Sequence, residues 1–256
     1  MARNRAVIIV LFLVAATIPW GRSQEEKRSK QAKEMTPEEI IQAFTAKESQ
    51  LYEAWNQYYY KQVATIKVLE DDGVPSDESM TLVFEVVFLD SGARDVRLIS
   101  RAGRLRSVLW TAEDQDVISN YQPFALTTKE LASYDLSFNG KEKVDELNAY
   151  VFTVKPKTIA PGKLYFQGKI WIDDSDLQIV RTVGKVVPQR DAVQFPEFET
   201  LRQLIDKKYW FPVYSHADSV LTYKIPVSRS LHVEETVTYE GFKRFTSSVT
   251  IKPVKK

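Results

Sequence analysis

A chain of 256 residues, 44% of them hydrophobic, is long enough to bury a sizeable core. Its 35 basic and 34 acidic residues leave a formal charge of +1, without the basic excess of a nucleic-acid binder, so no nucleic-acid partner is expected. The absence of cysteine excludes a disulfide framework, thiolate metal sites and a lipid attached through an N-terminal cysteine.

The chain opens with Arg3 and Arg5, then an apolar run from Ala6 to Ile18, then Pro19, Gly21 and the small Ser23. This is the order of a secretory signal peptide. The rival reading is an uncleaved anchor, but the run falls short of the roughly 20 apolar residues a spanning helix needs. Residues 1–23 are therefore expected to be a removable signal that delivers a soluble protein to the periplasm. Losing Arg3, Arg5 and Arg22 takes the formal charge from +1 to −2. Residues 24–35 are almost all polar and read as a flexible lead-in. Residues 36–256 read as a single β-rich domain.

That domain begins with a helix. Thr36 can cap it, Pro37 suits its first position and Glu39 completes a capping box. Ile40, Phe44, Leu51 and Trp55 follow at helical spacing, and the helix is expected to end between Leu51 and Gln57. From Tyr58 the period becomes two, with Tyr60, Ala64, Ile66 and Val68 on one face. A turn over Asp71–Ser79 leads to a second strand whose apolar face is Met80, Leu82, Phe84, Val86 and Phe88. Asp90-Ser91-Gly92 turns the chain into a third strand over Arg94–Ile99.

The middle interrupts this meander. Thr111-Ala112-Glu113-Asp114 and Thr127-Thr128-Lys129-Glu130 each resemble a helix start, which predicts short helices near 112–119 and 128–133 over a sheet face. Strands resume at Tyr134. Asn139-Gly140 predicts a hairpin turn and Glu146-Leu147-Asn148 another, ahead of a strand over Ala149–Lys155. Leu164–Asp173 and Leu177–Val187 read as two strands, followed by strands near 197–205, 208–216, 218–224 and 230–250. The fold class that follows is α+β, a large twisted antiparallel sheet with helices on one side.

Reactive groups are sparse. His216 lies near Asp218 and Ser219, but side chains along one strand alternate between faces, whereas a triad converges in space. Asp173, Asp174 and Asp176 lack the glycine and distal glutamate of an EF-hand and sit where two apolar strands must reverse. The nine glycines form no phosphate-binding loop. No catalytic residue, metal or cofactor is expected, and the chain reads as a non-enzyme. Its distinctive supply is aromatic: Trp110, Phe124, Tyr134, Phe152, Tyr165, Phe166, Trp171, Trp210 and Phe211. Such residues mostly fill cores, and some can line an apolar pocket.

Gly168-Lys169-Ile170-Trp171-Ile172-Asp173, a turn, then Leu177-Gln178-Ile179-Val180-Arg181 resembles the signature hairpin of the LolA/LolB-like superfamily, the outer-membrane lipoprotein carriers and their relatives. The hairpin from Leu136 to Pro156 and the opening helix fit the same pattern. The region from Pro196 to Lys256, with Tyr209-Trp210-Phe211-Pro212, extends beyond those carriers. The resemblance implies an unclosed half-barrel whose concave side is covered by helices, the inserted 112–133 segment acting as a lid over an apolar cavity for acyl chains. Leu82, Phe84, Val86 and Phe88 on one strand, Leu164, Phe166, Ile170 and Ile172 on another, and Phe124 and Leu131 in the lid are the expected lining. The implied function is a periplasmic carrier of a lipid or lipidated protein, with a membrane-associated donor or acceptor as further partner. The alternative is a non-enzymatic regulatory or protein-interaction module on the same fold.

Overall fold

The computed structural model describes residues 34–88, 94–224 and 228–245. The expected signal at 1–23, residues 24–33 of the lead-in and the Asp90-Ser91-Gly92 turn lie outside the described residues.

Helix α1 (Pro37–Trp55) carries Glu38 and Glu39 in its first turn, where carboxylates complement the free amides. Its stripe of Ile40, Phe44, Leu51 and Trp55 is buried, as the spacing predicts. Ten strands follow: β1 (Tyr58–Leu69), β2 (Pro75–Phe88), β3 (Arg94–Arg104), β4 (Tyr134–Val144), β5 (Leu147–Pro156), β6 (Tyr165–Asp173), β7 (Ile179–Val187), β8 (Phe198–Ile205), β9 (Tyr209–Tyr223) and β10 (Arg229–Arg244). They form one antiparallel sheet in the order β3-β2-β1-β10-β9-β8-β7-β6-β5-β4. The end strands β3 and β4 do not pair with each other, so the sheet is an unclosed half-barrel, the α+β class expected. The C-terminal region is no appendage. Strands β8 to β10 are the middle of the sheet, and β10 pairs with β1 from Tyr58↔Arg244 to Leu69↔His232.

One helix serves much of the concave face. At one end of α1 the Trp55 ring packs edge-on against Tyr60 of β1 and Phe211 of β9, at 5.8 and 5.6 Å. Nearer its start Phe44 lies 6.1 Å from Phe152 of β5. Inward positions of β1 and β2, among them Ala64, Ile66, Met80, Leu82 and Phe84, join Leu51, Trp55, Ile118, Phe211 and Val237 in one continuous core. A smaller cluster of Ala149, Val151, Trp171 and Val180 forms around β5 to β7. There the Arg181 guanidinium lies 4.5 Å from the Trp171 ring centre.

Four local expectations change. Strand β2 starts at Pro75, because the reversal closes within Glu70–Val74 by a bond from Glu70 N–H to Val74 O (2.8 Å) with Gly73 at φ +81°. Asn139-Gly140 does not end a strand. Gly140 (φ +99°) lies within a register shift between Phe138 and Lys141, and the β4–β5 turn comes at Asp145 (φ 51°) and Glu146. Positive-φ residues suit a bulge as well as a turn, and the downstream pairing decides between them. The strands expected at 208–216 and 218–224 are one, β9. The first expected helix forms over 112–121 but turns from α to π at Val117, and the second shrinks to a single 3-10 turn.

Candidate functional site

Residues 112–133 cross the concave face with little regular structure. Helix α2 (Ala112–Asp116) is started by a capping box, with Thr111 N–H donating to Asp114 Oδ2 at 2.7 Å and Asp114 N–H to Thr111 Oγ1 at 3.3 Å. It runs into a π-helical turn, Val117–Tyr121, and stops before Pro123, which cannot continue a helix. A single 3-10 turn, Leu131–Ser133, is all that forms of the second helix. Peptide groups left without helical partners must be satisfied elsewhere when buried. The sheet supplies the donors. Gln62 Nε2 of β1 donates to Ile118 O (2.7 Å), Thr200 Oγ1 of β8 to Gln122 O (3.0 Å) and Arg202 Nη2 of β8 to Phe124 O (2.5 Å). In return Gln122 Nε2 donates to the Glu235 carboxylate of β10. The segment is therefore latched by side chains of three strands.

Beneath the latch lies a buried ion pair. Arg202 Nη1 and Nη2 donate to the two oxygens of Glu48 at 2.9 and 3.0 Å, and both side chains are fully buried. Ile179 N–H also donates to Glu48, at 3.3 Å. Burial pushes the Glu48 carboxyl up, while Arg202 and the Ile179 amide pull the other way. Burial also pushes Glu235 up, to about 7. These polar residues sit at positions whose parity is otherwise apolar: Gln62 between Tyr60 and Ala64, Glu235 between Val233 and Val237, Glu48 between Phe44 and Leu51. That mismatch was a readable signal, and sequence reasoning passed over it.

Between the end of α1, the latched segment and the starts of β4 and β6 is a cavity of about 460 Å³, within the usual size range of ligand pockets. Trp55, Phe124 and Tyr134 form its buried wall, and Tyr121, Leu164 and Tyr165 are half-buried around it. Tyr52, Asn56, Asn120, Glu130 and Ser133 make an exposed rim, with Asp116 half-buried beside them. The wall is held firmly. Trp55 Nε1 donates to the Tyr60 hydroxyl at 2.8 Å, Phe166 N–H donates to the Tyr134 hydroxyl at 3.3 Å, and Phe124 stacks on Phe166 with ring centres 4.3 Å apart. A pair of glycines makes room for Phe166: a Cβ on Gly168 or Gly184 would come within 2.9 or 2.7 Å of its ring. Burial pushes the Tyr134 hydroxyl up to about 12.

Of the residues expected to line a cavity, Phe124 and Leu164 line this one, and Phe166 lies directly behind Phe124. Leu131 is half-buried in the 3-10 turn, and Ile170 and Ile172 are fully buried in β6. Leu82 and Phe84 sit in the filled core near β1. Val86 borders a separate, open groove of about 510 Å³ with Tyr59, Lys61, Glu85 and Lys243. The side chain of Phe88 lies outside the described residues. The tyrosines around the mouth, with Asp116 and Glu130, were not singled out together. They come from four segments that only the fold brings into register.

Other clusters are accounted for locally. The Asp218 carboxylate contacts His232 on the neighbouring strand, and Ser219 Oγ donates to Glu197 O at 3.5 Å, so His216, Asp218 and Ser219 do not assemble. Asp173 accepts from Ser175 N–H and Asp176 N–H (3.2 and 3.0 Å), and Asp176 accepts from Trp210 Nε1 (2.6 Å), as turn residues do. Among the described residues no three His, Asp or Glu side chains gather where a metal could bind, and no helix is long and apolar enough to cross a membrane.

No family model matches the chain, and no curated protein does. Solved structures do resemble it. A DUF1329 family protein from Desulfovibrio piger is 12% identical, over 82% of this chain and 95% of that one, with a TM-score of 0.38. A domain assigned to an outer membrane lipoprotein-sorting protein of Vibrio parahaemolyticus is 11% identical, over 82% and 93%, with a TM-score of 0.39. A LolA superfamily protein from Nitrosomonas europaea is 11% identical, over 84% and 96%, with a TM-score of 0.36. At such scores the likeness carries no argument about what this chain does.

Proposed function

We propose that this protein is a non-catalytic, exported carrier that holds an apolar chain of a lipid or lipidated protein in the cavity beneath the 112–133 segment, receiving or delivering it at a membrane. The observation that carries this reading is the aromatic cavity of about 460 Å³ set between α1, the latched segment and the starts of β4 and β6. An acyl chain gains roughly 0.8 kcal/mol per methylene removed from water and requires no reactive group. Trp55, Phe124, Tyr134 and Leu164 offer apolar surface for that purpose. The roof is held to the sheet by side-chain hydrogen bonds, with no strand pairing, which leaves it able to open for exchange.

Titration with an environment-sensitive fluorescent single-chain probe whose head group is uncharged tests the proposal. Saturable one-to-one binding is expected, and Ala125→Trp, which fills the cavity from the roof, is expected to abolish it. Failure of the parent protein to bind the probe saturably would overturn the reading.

A further inference from the structure

The charged residues that line the cavity are of one sign, and they bear on the head of the ligand. Two of the lining residues carry a charge, Asp116 and Glu130, and both are carboxylates. Their partners are neutral: Asp116 Oδ1 accepts from Asn120 Nδ2 at 2.7 Å, and Glu130 Oε2 accepts from Thr127 Oγ1 and N–H at 3.3 and 3.5 Å. Among the described residues neither forms an ion pair. Tyr52, Trp55, Tyr121, Tyr134 and Tyr165 add ring faces, whose quadrupoles are negative toward the cavity wherever a face is presented. The phenols register the same field. The Tyr121 hydroxyl is pushed up first by burial and then by Asp116 and Glu130, and Glu130 adds to the burial effect at Tyr134.

Resting on the carrier reading above, we infer that this cavity selects an amphiphile with a cationic, ammonium-type head, its apolar chain directed toward Phe124 and Leu164 and its head held at the mouth by Asp116, Glu130 and the surrounding tyrosine rings. Ammonium groups are attracted both to carboxylates and to aromatic faces. A phosphate, sulfate or carboxylate head would meet two like charges there, and like-charge juxtaposition disfavours a partner.

The test compares three single-chain probes below their micelle-forming concentrations by calorimetry: decyltrimethylammonium, decyl maltoside and decyl sulfate. The cationic probe is expected to bind about tenfold more tightly than the anionic one, the sum of two or three interactions of modest strength. The gap should narrow as salt is raised. In the double variant Asp116→Asn, Glu130→Gln, which keeps the local hydrogen-bond acceptors, the gap between cationic and anionic probes should shrink to within about threefold. Equal or tighter binding of the anionic probe, a gap that persists in the double variant, or cationic binding that survives Ala125→Trp would overturn the inference. If all three probes bind alike, the carrier reading stands and the head-group preference falls; if none binds, both fall.

Discussion

Replacing Arg202 by methionine removes one half of a pair that the structure hides completely from solvent. The change keeps the length and most of the volume of the side chain, so its effect is electrostatic. It leaves the Glu48 carboxyl buried with one remaining donor, Ile179 N–H, and leaves Phe124 O without its guanidinium partner. Breaking a buried pair from one side costs about 3–5 kcal/mol. For a domain of this size each kcal/mol moves the melting temperature by about 2–4 °C, so a loss of about 10 °C is expected. Adding Glu48→Met to Arg202→Met removes the stranded acid and should recover part of the loss. Recovery stays partial because the Phe124 carbonyl still lacks its donor, at about 1–3 kcal/mol. Urea unfolding followed by far-ultraviolet circular dichroism gives the stabilities, and hydrogen exchange over 118–126 reports whether the roof loosens. A single variant within about 1 kcal/mol of the parent would refute the reasoning, because a buried carboxyl could not lose its main partner so cheaply.

The buried Glu235 makes a prediction about pH. Burial, opposed by Gln122 and reinforced by Asp114, raises its carboxyl to about 7. The folded state therefore binds this proton more tightly than the unfolded chain, whose carboxyl titrates near the usual ~4.3. Its contribution to stability is fully present below that value and is lost as pH rises through about 7. Glu235→Gln should remove about 2–3 kcal/mol of the difference in stability between pH 5 and pH 8, and parallel profiles for variant and parent would contradict this. Gly184→Ala places a Cβ 2.4 Å from Gln167 O and 2.7 Å from the Phe166 ring, and it should cost about 1–3 kcal/mol and loosen the Phe124–Phe166 stack. The unfolding midpoint measures the cost, and faster hydrogen exchange around Phe124 reports the loosening.

Much of the fold was legible because the strand parity is clean. Tyr60, Ala64, Ile66 and Val68 face inward on β1 as their alternation predicts, and the apolar stripe of α1 is the buried one. The spatial order of the strands was not legible. Pairing of β10 with β1 joins residues as far apart in sequence as Tyr58 and Arg244, and no local pattern encodes that choice. It also decided the role of the C-terminal region, which looks like an extension in one dimension and is the centre of the sheet in three. The site was legible in part. Phe124, Leu164 and Phe166 share a hydrophobic signature that sequence exposes, whereas the mouth combines Tyr52, Asp116, Glu130 and Tyr165, each unremarkable in its own segment. The latch residues Gln62 and Glu235 broke the apolar parity of their strands. A polar residue in such a place is the mark sequence leaves when a non-helical segment must be satisfied from the sheet.

The central claim is that the cavity beneath the latched segment carries an apolar chain. Mass spectrometry of organic extracts from the protein, purified from its native compartment without detergent, tests it most directly. The account predicts a near-stoichiometric lipid or acylated peptide in the parent protein and its loss in Ala125→Trp. An extract free of such molecules, together with no saturable binding of a neutral single-chain probe such as decyl maltoside, would contradict it.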